Sequence, residues 1–175
     1  AGVRIPENKK EKYTHSNIRG FDSVLGFIKK NNIKKFIYAS SSSVYSGLET
    51  QPYKEDMALL EPKSIYAQTK IYNENKAREF CLNTECKSIG LRFFTVYGPY
   101  GRPDMAYFSF AKKVMSGSEI SLFNNGNTYR DMTFIDDIVS GIYSSIEYIS
   151  EKSFNSEIFN LGNGKPVKTT DMLEI

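Results

Sequence analysis

Residues 34–45 read KKFIYASSSSVY. The run Lys35 to Ala39 is rich in β-formers and stops on four serines, Ser40 to Ser43, which predicts a buried strand opening into a polar loop. Upstream, Ile18, Phe21, Val24, Leu25 and Ile28 recur at helical spacing between Ser16 and Lys30, and Asn31-Asn32 closes that run, so an amphipathic helix precedes the strand. Downstream, Glu49 to Glu61 reads as surface loop until Pro62 and Ser64 announce a second helix reaching about Leu82. A strand is expected over Ser88 to Val96 (SIGLRFFTV), ending in the turn-forming run GPYGRP. A helix over Met105 to Ser116, a short strand over Glu119 to Phe123, a helix from Asp136 through Ile149 and a last strand over Ile158 to Leu161 complete the pattern. Thr169-Thr170-Asp171 reads as one further helix start. Helices alternating with strands predict the α/β class with a doubly wound, largely parallel sheet.

The composition agrees with a globular chain. Its 175 residues suffice for one ordinary domain. The 40% apolar and 14% aromatic content excludes the disordered and collagen-like classes. No stretch approaches the roughly 20 apolar residues of a membrane span, and AGVRIPENKK lacks the apolar core of a signal peptide, so no membrane partner is expected. The net charge is +3, with lysines scattered in pairs such as Lys29/Lys30 and Lys112/Lys113, which reads as solvated surface; no nucleic-acid partner is expected. Cys81 and Cys86 form no C-x-x-C pair and the chain has a single His, so Cys and His cannot assemble a metal site. Cysteine usage of this kind fits a reducing, cytoplasmic compartment.

In a doubly wound sheet, ligands sit beyond the carboxyl ends of the strands. That is where the unusual polar residues fall: the serine block after one strand, Thr95 and GPYGRP after the next. Between them lies Tyr66-Ala67-Gln68-Thr69-Lys70, whose Tyr and Lys project from one helix face. A phenol near pKa 10 is a poor base at neutral pH, and a neighbouring ammonium favours the phenolate. A nearby Ser hydroxyl can then share the reacting proton. Taken alone the spacing says little, because chance gives about one such pair in a chain with 12 Tyr. Tyr72/Lys76 and Tyr148/Lys152 repeat it, and only Tyr66/Lys70 has the serine block before it and the Thr95 loop after it. The serine block by itself reads more readily as a turn satisfying loop backbone, and beside Tyr66/Lys70 the functional reading takes precedence.

Together these segments resemble the extended short-chain dehydrogenase/reductases, the NAD-dependent nucleotide-sugar epimerase/dehydratase family. The matching residues are YASSSSVY (Tyr38 to Tyr45), YAQTK (Tyr66 to Lys70), LRFFTVYGPYGRPDMA (Leu91 to Ala106) and YRDMTFIDDIV (Tyr129 to Val139). Within the family, LRFFTVYGP followed by GRPDMA is most similar to UDP-glucuronate 4-epimerases of the bacterial capsule type, which act in polysaccharide biosynthesis.

The resemblance implies a Rossmann-like fold, an NAD cofactor and a UDP-sugar substrate. It makes Tyr66 the base, has Lys70 bind the nicotinamide ribose and tune Tyr66, and has Ser41 share the substrate 4-hydroxyl. Ser40 and Phe93 join Tyr66 and Lys70 as cofactor-binding residues. Arg130 would meet the diphosphate, with a salt bridge to Asp131 or Asp137 as the other reading. Arg102 with Thr95, assisted by Ser42 and Ser43, would hold a uronic acid carboxylate, with loop ordering as the other reading of Arg102. Asn17 stands at a family position in the preceding helix, with a structural role through its amide. The implied chemistry is epimerisation through a transient 4-keto sugar without net redox change. Dehydratases need an acid/base pair before Val44, and the related decarboxylases carry an acid immediately before it; this chain has Ser42 and Ser43. A UDP-hexose 4-epimerase or another nucleotide-sugar epimerase/dehydratase is the alternative enzyme, and a non-enzymatic homologue the alternative outside enzymes.

One family element is absent: no G-x-x-G-x-x-G follows an early strand, and Gly98-Pro99-Tyr100-Gly101 is no substitute because Pro removes a donor. AGVR resembles the segment just after the family's fourth strand. Residues 1–175 therefore read as an interior piece: 1–100 as the later portion of the NAD-binding domain, and 101–175 as a substrate-binding region interleaved with late Rossmann elements. Such a piece is expected to be inactive alone, and the full-length protein to be a homodimer.

Overall fold

A computed structural model describes residues 10–49, 51–62 and 64–173. The segment AGVR, read above as following an earlier strand, lies outside them. Two units divide the chain. The first holds the described residues up to Phe93 together with Gly141–Leu161; the second holds Phe94–Ser140 and the described residues from Gly162 onward.

The first unit is a parallel sheet of three strands, β1 (Lys35–Ser41), β2 (Lys87–Phe93) and β5 (Ser156–Leu161), in the order β1-β2-β5. Alternation sends successive side chains to opposite faces. Ile37, Ile89, Leu91, Phe93, Phe159 and Leu161 pack with Ile142, Tyr148 and Ile149 of α5 (Ile135–Glu151). On the other side, Phe36 packs with Leu25 and Ile28 of α2 (Gly20–Lys30) and with Phe80 and Cys81 of α3 (Ile65–Leu82). Helices therefore cover both faces, the doubly wound α/β arrangement expected. Among the described residues no helix is long and apolar enough to cross a membrane.

The helix before β1 is three pieces: α1 (Lys10–Tyr13), a π turn over Thr14–Arg19, and α2. Of the stripe read from the sequence, Leu25 and Ile28 are buried but Val24 is half-exposed beside the exposed Phe27, because a ridge of Phe21, Leu25 and Ile28 is all that the sheet can cover. Cys81 and Cys86 are free thiols in the same apolar cluster, and burial pushes Cys86 up to about 11.

The second unit pairs β3 (Thr95–Tyr97) in parallel with β4 (Tyr129–Phe134), and β4 antiparallel with β6 (Pro166–Lys168). The strand expected over Ser88 to Val96 is thus two strands in two sheets, broken at Phe94. The strand expected over Glu119 to Phe123 does not form: the β3-β4-β6 ladders take other residues, and Asn124 and Asn125, at φ 52° and 50°, turn the chain left-handed straight after Leu122 and Phe123. Asn and Asp are the residues that best tolerate that region. β6 was not legible, being three residues long. Helix α4 (Ala106–Met115) lies between β3 and β4 in the chain.

Gly90 marks the tightest approach in the first unit. It lies opposite Tyr38 on β1 and Ile158 on β5, and a Cβ there would come within 2.6 Å of the Tyr38 hydroxyl and of Ile158 Cδ1. Overpacking a filled core costs about 1–3 kcal/mol. Gly90→Ala should lower the unfolding free energy in urea by that amount, and an unchanged midpoint would show that this crossing is loose.

Candidate active site

A surface helix ordinarily buries an apolar stripe. Helix α3 instead buries Thr69, Lys70, Asn73 and Glu74 alongside Ala67, Ala77 and Cys81. Lys70 is 4% exposed, and an ammonium taken out of water is costly unless partnered. Its Nζ donates to the Ala39 carbonyl on β1 at 2.8 Å and stands 5.7 Å from the ring centroid of Tyr66, one turn earlier. Burial pulls the Lys70 pKa down, and Glu74, one turn later, opposes that shift. Tyr66 is half-buried, its ring 6.4 Å from that of Tyr13.

The serine block does not continue the strand to its end. Ser41 closes β1 and caps a 3₁₀ turn, Ser42–Tyr45. The Ser41 hydroxyl accepts from the Ser43 amide at 3.2 Å and donates to the Ser43 hydroxyl at 3.1 Å. Helix α3 packs against both this turn and β1. Strand alternation sends Ser40 to the opposite face from Ser41, where its hydroxyl donates to the Glu74 carboxylate. Ser42 and Ser43 are half-buried, and the Phe93 ring packs into the apolar cluster under α5.

The other two Tyr-x-x-x-Lys pairs have ordinary surroundings. The Tyr72 hydroxyl donates to Asp22 at 3.0 Å and Lys76 to Glu79 at 2.8 Å, both at the surface. The Tyr148 ring packs on Phe154 and Phe159.

Asn17 sits in the π turn, 2% exposed, and its amide nitrogen donates to Thr69 Oγ1 at 3.0 Å. Asn73, with its amide nitrogen turned toward them, donates to the carbonyls of Asn17 at 2.8 Å and Thr69 at 3.1 Å. Two amides thus tie the π turn to the Thr69–Asn73 turn of α3.

The second unit holds the remaining residues singled out in the sequence. Thr95 opens β3, half-buried, paired in register with Met132. Arg102 grips Asp104 with both arms of its guanidinium, Nε to Oδ1 at 3.0 Å and Nη2 to Oδ2 at 2.5 Å, in a half-exposed pair. Arg130 is exposed and donates to its neighbour's carbonyl, Tyr129, at 2.9 Å; among the described residues it pairs with neither Asp131 nor Asp137. Asp131 instead accepts from the amides of Asn163 and Gly164, at 2.9 and 2.8 Å.

Three residues to which the sequence assigned no role emerge from the structure: Glu74, Arg92 and Tyr45. Arg92, 3% exposed, forks onto Glu74 (Nε to Oε1 2.9 Å, Nη2 to Oε2 2.8 Å) and donates to the Tyr45 hydroxyl at 2.7 Å. An Arg within the apolar run SIGLRFF and a Glu one turn after Lys70 were the available signals.

Residues 1–162 match the model of the NAD-dependent epimerase/dehydratase family. The chain belongs to that family. This epimerase/dehydratase chain is 48% identical over 175 residues to an uncharacterized protein of Methanocaldococcus jannaschii, covering 100% of this chain and 52% of that one. It is 43% identical over 190 residues to UDP-glucuronate 4-epimerase 4 of Arabidopsis thaliana, covering 100% of this chain and 43% of that one. Among solved structures, the UDP-glucuronic acid 4-epimerase from Bacillus cereus in complex with UDP-glucuronic acid and NAD aligns at a TM-score of 0.85 and 32% identity, over 98% of this chain and 54% of that one. The chain spans about half the length of the curated relatives it matches.

Losing the Asn17 amide leaves the buried Thr69 hydroxyl without its donor, and orphaning a buried hydrogen-bonding partner costs about 1–3 kcal/mol. Asn17→Ala should therefore destabilise the fold by that amount in a denaturant titration, whereas wild-type stability would show that the π turn is not held by this contact.

Proposed function

We propose that this chain carries the acid-base machinery of an NAD-dependent UDP-sugar 4-epimerase, with UDP-glucuronate and UDP-galacturonate as the interconverted pair. The carrying observation is the buried Lys70, whose ammonium lies between the Ala39 carbonyl and the Tyr66 ring at the end of β1. A cation held there favours an anionic Tyr66 oxygen.

The donor set fits the cofactor. An ammonium has three donors; one goes to Ala39, and the others suit a ribose diol such as that of the nicotinamide nucleoside. Ser40 and Phe93 have their side chains engaged by Glu74 and by the apolar cluster, so any part they take in cofactor binding is through backbone. Bound at these residues, NAD would supply reversible hydride acceptance at C4 of the sugar. The chain's own residues handle the proton. Tyr66 takes it from the C4 hydroxyl as the C4–H bond breaks, Ser41 shares the hydrogen bond, and Lys70 steadies the phenolate. Once the 4-keto sugar has turned over, Tyr66 gives the proton back, and atoms and electrons balance over the cycle.

For the sugar, the 43% identity to a plant UDP-glucuronate 4-epimerase supports the uronic acid. In this reading Thr95 and Arg102 serve the carboxylate and Arg130 the diphosphate, where a forked guanidinium is well suited. The Arg102–Asp104 pair favours a second reading, a neutral UDP-hexose, because Asp104 already answers the charge of Arg102. A homodimer is the proposed assembly; the exposed Val24 and Phe27 on α2 and Leu82 on α3 supply apolar surface for it.

Incubating the holoenzyme with UDP-glucuronate should yield UDP-galacturonate, whereas a pentose product with CO2 would mean decarboxylation and sink the reading. Tyr66→Phe should reduce turnover by about 10²- to 10⁴-fold, while Tyr72→Phe and Tyr148→Phe should leave it near wild type; the reverse ranking would show that the wrong pair was chosen.

Arg102→Ala separates the two substrate readings. Charge-assisted hydrogen bonds contribute roughly 1.5–3 kcal/mol, so kcat/KM for UDP-glucuronate should fall by about one to two decades while that for UDP-glucose or UDP-galactose changes little. Equal losses on both would show that Arg102 orders its loop by holding Asp104.

A further inference from the structure

Across the sheet of the first unit, Ser40 on β1, Arg92 on β2 and Asn160 on β5 stand in one row, each the register partner of the next. A polar row is out of place on a covered face, yet its side chains are linked without a gap. Glu74 reaches down from α3 and accepts from the Ser40 hydroxyl and from both arms of the Arg92 fork. The third arm of Arg92 donates to the Tyr45 hydroxyl, which donates in turn to Asn160 Oδ1 at 2.8 Å. The Asn160 amide nitrogen donates to the Tyr53 carbonyl at 3.1 Å, and the Tyr53 ring stacks on Tyr45 with centroids 4.7 Å apart.

Packing does not require this. Replacing a buried ion pair by well-shaped apolar residues is often neutral or stabilising, so the pair is weak evidence for a stability role. What apolar residues cannot supply is direction. The two ends of the network are informative: Glu74 follows Lys70 by one helical turn, and Tyr45 is the last residue of the turn that begins after Ser41.

We infer that Glu74 and Arg92 are positioning residues, which act through Ser40 and Tyr45 to hold the Ser41 turn in fixed relation to the Tyr66–Lys70 face of α3. This role rests on the reading of Ser41, Tyr66 and Lys70 given above. Neither residue needs to touch substrate. Charge alone is not enough, because a Lys at position 92 could not serve the Glu74 fork and the Tyr45 hydroxyl together.

The test is the paired replacement Glu74→Leu with Arg92→Met, which removes both charges at once, measured in the holoenzyme beside Tyr45→Phe. For the paired variant, a melting temperature close to wild type with kcat down about 10- to 100-fold and the UDP-sugar KM within about threefold supports positioning, since a misplacement of about 1 Å can carry a loss of that size. Wild-type kcat at wild-type melting temperature overturns it. If the paired variant does not fold, Tyr45→Phe decides: it keeps the ring on Tyr53, and kcat reduced at least about threefold at unchanged KM supports the inference, while full activity overturns it. Should the wild-type protein turn over no UDP-sugar, the functional reading fails separately, and amide NMR resonances still decide the positioning claim. Tyr45→Phe should shift the amides of Tyr66 to Lys70, whereas changes confined to the neighbourhood of residues 45 and 160 would overturn it.

Discussion

Two opposite charges, Glu74 and Arg92, are shut away from water between a helix and a sheet. In that setting each is tolerable only because the other is there and because Ser40 and Tyr45 take up hydrogen-bonding capacity that the pair leaves over. The same constraint accounts for much of the first unit. Helix α3 comes close enough to β2 for a bidentate contact and sets Lys70 on the Ala39 carbonyl. The buried face of α3 is polar because Lys70 and Glu74 each meet a partner on the sheet.

The first unit holds Ser41, Lys70 and Asn17 by backbone and by network. The Ser41 turn is closed by its own cap, α3 is anchored at Glu74, and the π turn of the preceding helix is tied to α3 through Asn17 and Asn73. In the second unit, Asp131 orders the 162–164 loop through two backbone amides, and Arg130, its neighbour, is exposed. Arg130 and Asp131 thus divide their labour: the carboxylate shapes a loop and the guanidinium is exposed.

The class of fold was legible because strand and helix periods alternate cleanly over 16–97, and the nearness of Lys70 to Tyr66 because the two stand one helical turn apart on α3. Other features were not. The break at Phe94 is invisible in SIGLRFFTV, where one apolar run serves two sheets. Ile120-Ser121-Leu122 alternates like a strand but no ladder takes it, a tertiary outcome that local pattern cannot report. Val24 satisfied helical spacing yet lies outside the ridge that the sheet covers. Glu74 and Arg92 were hidden for a different reason: their importance is a contact between residues far apart in the chain, and each alone reads as an ordinary surface charge or a blemish in a strand. The Ser40 hydroxyl belongs with them, since only the strand's alternation separates it from Ser41.

If Tyr66, steadied by Lys70, moves a proton at a C4 hydroxyl while the C4 hydrogen leaves and returns within one sugar, a label at C4 must survive turnover. Conversion of UDP-glucuronate bearing deuterium at C4, followed by NMR of the product, reads this out. The expected product is UDP-galacturonate that keeps its C4 deuterium and takes no hydrogen from solvent at C4 or C5. Loss of the label to water, or solvent hydrogen at C5, would refute the mechanism.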